Sequence, residues 1–155
     1  MPPRLHRHQT LGHLHFLTFS CQDRQPYLEP PAAKALFESV LESRRKKYGF
    51  HIHSYVVMPE HVHLLVSEPP AQPLSKAIAS IKREVSRLCP ETPFWLPRYY
   101  AFNVFSNQKR IEKLRYIHRN PVTRGLAIKP EDYFWSSFRE YAFHESTAVT
   151  ITRLF

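Results

Sequence analysis

The chain has 155 residues, 43% hydrophobic and 14% aromatic, enough to bury a core and to exclude wholesale disorder. Lys and Arg number 22 against 13 acidic residues, a formal net charge of +9. That balance points to a polyanion as partner, and to nucleic acid ahead of a membrane surface, because no Lys-rich amphipathic terminal helix is visible.

Residues 1–12 lack the apolar run of a secretory signal, and nothing approaches the roughly 18 apolar residues of a membrane span. The two cysteines, Cys21 and Cys89, have no metal-ligand spacing, which fits ordinary thiols in a reducing cytoplasm. One domain over 1–155 is expected, with 1–12 and about 142–155 flexible or peripheral. In chain order, residues 13–20 read as a strand rich in aromatic and β-branched types. Pro30 and Pro31 open a helix to about Tyr48, with Leu36, Phe37, Val40 and Leu41 on one face and Gly49 as C-terminal cap. Residues 50–57 and 61–67 form a hairpin about Met58-Pro59-Glu60.

A second helix spans about 74–88, where Leu74, Ile78, Ile81, Val85 and Leu88 recur as a core stripe. Residues near 99–105 suit a fourth strand. Ser106 then caps a third helix that Pro121 stops. This order predicts an α+β, ferredoxin-like split β-α-β fold: an antiparallel sheet with two helices on one face and an extra helix after it. The fold hosts many functions, RNA binding among them, so function rests on the sites.

Four histidine pairs share the spacing His-X-His: His6/His8, His13/His15, His51/His53 and His61/His63. On a strand the two rings share one face and can share a metal, leaving open positions for substrate oxygens. The pattern recurs, so spacing alone singles out no pair, and solvent-facing or core-edge histidines are the alternative. Context favours His61 and His63, which begin the apolar strand HVHLLV directly after a Pro-containing turn.

On the third helix Ile111, Leu114, Ile117 and His118 fall on one arc, the natural core face. Tyr116 lies roughly opposite, beside Lys109, Lys113 and Asn120, where a working tyrosine or a half-exposed structural one would sit. Asn120, one turn on, reaches the same region and could be a third ligand or could merely end the helix.

The strings YGFHIHSYVVMPEHVHLL, KLRYIHRNPVTRGL and PEDYFWSSFREY resemble the REP-associated tyrosine transposases, a branch of the single-tyrosine HUH transposases. The resemblance runs from about Thr18 to Tyr141. It implies a ferredoxin-like core, a divalent metal (Mg or Mn) and cleavage of single-stranded DNA beside imperfect hairpins. It assigns His61 and His63 as the metal pair, Tyr116 as the nucleophile and Asn120 as third ligand, where related transposases commonly carry Gln. Glu60 stands where Asn or Asp is usual. The expected partner is single-stranded or hairpin DNA, with a homodimer open.

Lys76, Lys82, Arg83 and Arg87 on the second helix, with Lys109 and Lys113, are candidate phosphate contacts, a solvated helix face being the alternative for each. Arg44, Arg45, Lys46 and Lys47 form a further basic cluster, and Trp95, Tyr99, Tyr100 and Phe102 could stack on bases or fill the core. Competing readings are a non-catalytic hairpin-binding regulator, a metal-dependent nuclease that uses water, and an RNA-binding domain.

Overall fold

The computed structural model describes residues 13–155, so His6, His8 and the rest of 1–12 lie outside the described residues. The elements are β1 (Leu14–Ser20), a 3-10 turn (Gln22–Arg24), α1 (Pro31–Tyr48), β2 (Ile52–Val57), β3 (His61–Val66), α2 (Leu74–Leu88), β4 (Tyr100–Val104), α3 (Asn107–Thr123), a second 3-10 turn (Pro130–Asp132) and α4 (Phe138–Phe143). The strands form one antiparallel sheet in the order β2-β3-β1-β4. That is the ferredoxin-like arrangement predicted from the element order.

Both faces of this sheet are covered, and strand alternation sorts the side chains between them. Leu17 and Phe19 of β1 and Val62, Leu64 and Val66 of β3 join Phe37 and Leu41 of α1 and Ile78, Ile81 and Val85 of α2 in the larger core. The intervening residues face the other way, where Phe16, Val56 and Leu65 meet Ile117 of α3 and Tyr133. The stripe on α2 ends at Val85, because Leu88 is 45% exposed at the last residue of the helix. Gly49 caps α1 in the left-handed region at φ 76°, which glycine adopts without steric penalty.

One expectation is corrected at the chain's later end. Pro121 does not stop α3, which runs on to Thr123 and closes at Arg124, whose N–H donates to the Asn120 carbonyl. A proline in the last turn removes one N–H, and the burial of Asn120 and Pro121 holds the helical course through it. The segment after residue 142 packs back on the fold. Val149 is buried in the larger core, the Thr150 N–H donates to Glu42, and the Thr152 N–H donates to the Ile52 carbonyl along β2. With Val57 N–H donating to Trp135 and Ser137 N–H to Tyr55, this covers the outer edge of β2.

Candidate active site

The register of β1 on β3 pairs Thr18 with His63 and Ser20 with His61. Phe16, Thr18 and Ser20 therefore share a face with the two histidines, on the side away from α1 and α2. Both imidazoles are buried, and each is held at Nδ1. Glu60 Oε1 accepts from His61 Nδ1 at 2.8 Å, and Thr18 Oγ1 sits 2.9 Å from His63 Nδ1. The two Nε2 atoms then face one another at 3.1 Å. Burial pushes the His63 imidazole down to about 3, helped by the neighbouring His61, Arg24 and Lys113. Burial also lowers His61 against the opposing bond to Glu60. Both rings are accordingly neutral near pH 7, the form that can donate a lone pair.

Tyr116 comes to this pair from α3. Its ring lies 5.3 Å from His63 and 5.8 Å from Phe16, both edge-on, and the residue is 50% exposed. The Lys113 ammonium stands over three rings, 4.6 Å from Phe16, 4.8 Å from Phe102 and 5.9 Å from Tyr116. Such contacts hold a cation in place without neutralising it.

Asn120 is 6% exposed, lies within the helix rather than at its end, and leaves its buried Oδ1 without a hydrogen-bond partner. These groups line one cavity of about 820 Å³ together with Arg24, Arg119, Arg124 and Tyr100. Asp23 and Arg24 take left-handed backbone at φ 53° and 55°, a conformation that costs a non-glycine residue about 1–2 kcal/mol. The turn they form carries Arg24 into the cavity, where its guanidinium donates to Ser20 Oγ at 3.2 Å.

The donor set fits a divalent ion. The two buried Nε2 atoms, 3.1 Å apart, are close enough for both rings to be ligands of one ion. The buried Asn120 Oδ1, without a hydrogen-bond partner, is a further oxygen donor lining the same cavity.

The structure thus brings together His61, His63, Asn120, Tyr116 and Lys113. It does not bring the other basic candidates to this cavity. Lys109 pairs with Glu112 at 3.2 Å. Lys76, Lys82, Arg83 and Arg87 sit on α2, across the sheet. The Lys82 ammonium donates to the Leu96 carbonyl, and Arg87 pairs with Glu84. Arg44 is bound to Ser80 and Arg45 to Glu42. Trp95 and Tyr99 belong to the larger core, whereas Tyr100 lines the cavity. Thr18, Arg24, Arg119 and Arg124 escape the sequence reading, although Arg119, Asn120 and Thr123 follow Tyr116 at helical spacing.

Among known proteins, the family described as "Transposase IS200 like" matches residues 9–120. A REP-associated tyrosine transposase of Escherichia coli is 25% identical over 133 residues, 85% of this chain and 80% of that protein. A solved structure of a REP-associated tyrosine transposase bound to a REP hairpin superposes with a TM-score of 0.74 at 22% identity, covering 93% of this chain and 88% of the other. No described helix is long and apolar enough to cross a membrane.

Proposed function

The chain belongs to the IS200-like transposase family, and from that premise we propose that it cleaves and rejoins single-stranded DNA beside hairpins through a phosphotyrosine at Tyr116. The observation that carries this reading is the convergence of Tyr116, the two Nε2 atoms and the unpartnered Asn120 oxygen on one basic cavity. A hairpin is the expected partner, a reading supported by the relative of the same fold that is bound to a REP hairpin.

His61, His63 and Asn120 would hold a divalent ion, Mg or Mn. When bound, the ion polarises a non-bridging phosphate oxygen and offsets charge that builds in the transition state. Tyr116 Oη attacks phosphorus, its bond to phosphorus forms as the bond to the 3′ oxygen breaks, and a free 3′-OH is released. The phenol proton passes to water, and the departing oxygen takes a proton from water. The Lys113 ammonium, 5.9 Å over the Tyr116 ring, adds to the positive charge the cavity offers a phosphate.

Arg24, Arg119 and Arg124 bind the flanking phosphates. The phosphotyrosine retains the bond energy, so an incoming 3′-OH rejoins the strand without a nucleotide cofactor.

Labelled single-stranded hairpin DNA, incubated with protein and manganese, is expected to give an adduct that survives denaturation. Chelator abolishes it, and perfect duplex gives none. Cleavage without an adduct would favour a water-using nuclease, and binding alone under any metal would favour a regulator.

A further inference from the structure

The two histidines are held by chemically unlike partners, and the difference fixes where their protons lie. Glu60 Oε1 is 2.8 Å from His61 Nδ1 and 3.3 Å from the Arg124 guanidinium. A carboxylate paired to arginine can only accept, so His61 carries its one hydrogen on Nδ1 and presents a lone pair at Nε2. The Nε2 of His63 is 3.1 Å away. Two lone pairs do not face each other at that distance, so the hydrogen between the rings belongs to His63 Nε2. His63 Nδ1 is then a lone pair, and the Thr18 hydroxyl, 2.9 Å away, donates to it.

That arrangement cannot persist once an ion is bound, because both Nε2 atoms must then offer lone pairs. We infer that Glu60 pins the tautomer of His61, while the Thr18 hydroxyl allows His63 to exchange its tautomer when a divalent ion enters. The inference rests on the metal reading above. The hydrogen on His63 Nε2 leaves to water, another arrives from water at Nδ1, and the ring stays neutral throughout. The Thr18 hydroxyl turns from donor to acceptor, which a hydroxyl can do and a carboxylate cannot. Glu60 and Thr18 are therefore positioning residues of different kinds, one fixed and one adaptable. A carboxylate at position 18 would force two lone pairs together in the metal-free protein.

Proton–nitrogen correlation spectra of the full chain with isotope-labelled histidine read each tautomer directly. Without metal, His61 is expected as the Nδ1–H form and His63 as the Nε2–H form. Saturating magnesium is expected to convert His63 to Nδ1–H and leave His61 unchanged. In Glu60→Ala, His61 is expected to lose its single tautomer. Thr18→Val, close in shape but lacking the hydroxyl, is expected to weaken manganese binding in calorimetry about 10-fold, with Thr18→Ser restoring it.

Three results would overturn the inference: His63 already Nδ1–H without metal, metal bound with no change at His63, or full affinity in Thr18→Val. The last two would leave the metal reading intact. Failure of the protein to bind magnesium or manganese at all would overturn both.

Discussion

Asn120 shows how a single residue can be poorly placed for stability and well placed for chemistry. Its buried Oδ1 has no partner, and an unsatisfied buried acceptor costs about 1–3 kcal/mol. Leucine has nearly the same size and no polar atom to leave unpaired. Asn120→Leu is therefore expected to melt at or above the temperature of the unmutated protein without metal, while manganese affinity and DNA cleavage both fall. Lower stability with unchanged cleavage would make Asn120 a structural residue. For the pair itself, His61→Ala or His63→Ala is expected to abolish cleavage of hairpin DNA while far-ultraviolet dichroism stays close to that of the unmutated protein. Full cleavage by the double variant in chelator would contradict the assignment of these rings.

At the scale of elements, α3 is seated by contacts on the side away from the cavity. His118, two residues after Tyr116 and on the opposite, core-facing arc, lies 2.8 Å from Ser137 Oγ and packs on Phe138 and Tyr141. The same Ser137 oxygen accepts the Tyr55 N–H at 3.0 Å. Ser137→Ala leaves both groups buried and unpaired, so a loss of about 1–3 kcal/mol in denaturant unfolding is expected. These contacts give the third sequence motif a physical role, since WSSF docks the tyrosine helix onto β2.

Element order and most element ends are legible in the sequence, because proline, Gly49 and the apolar periods mark them locally. Tyr116 and Asn120 are legible as one face of a helix for the same reason. Thr18 could not be read as the partner of His63, because strand register joins residues far apart in the chain. Nor could charge alone separate Arg124 from Lys82, whose ammonium is spent on the Leu96 carbonyl. Pro121 misleads because a local rule about helix ends yields to burial of the final turn.

For the whole molecule, buried neutral histidines set an acid limit on stability. Burial pushes His63 down to about 3 and His118 down to about 4, whereas both titrate near 6.5 when unfolded. Between these values the unfolded chain binds protons that the native protein does not, so stability falls as pH drops below about 6.5. It levels off once the native rings are themselves protonated. Each residue is expected to remove roughly 2 kcal/mol on going from pH 7 to pH 5, measured by urea unfolding of the metal-free protein. A net charge of +9 acts on DNA in the same global way. Hairpin affinity should fall with salt by about 0.7 in the log–log slope for each neutralised phosphate of a single strand. A slope near zero would argue against a phosphate-led interface.

Under the proposed mechanism the Tyr116 oxygen becomes bonded to DNA phosphorus. Tyr116→Phe keeps the ring that packs edge-on against His63 and Phe16 and removes only that oxygen. The direct measurement is the denaturation-resistant adduct formed with labelled single-stranded hairpin DNA and manganese, mapped to a peptide by mass spectrometry. The adduct is expected on Tyr116 in the unmutated protein, and Tyr116→Phe is expected to fold and bind the hairpin normally with adduct and cleavage both lost. Strand cleavage that survives in Tyr116→Phe, or an adduct mapped to Tyr99, Tyr100 or Tyr133, would contradict it.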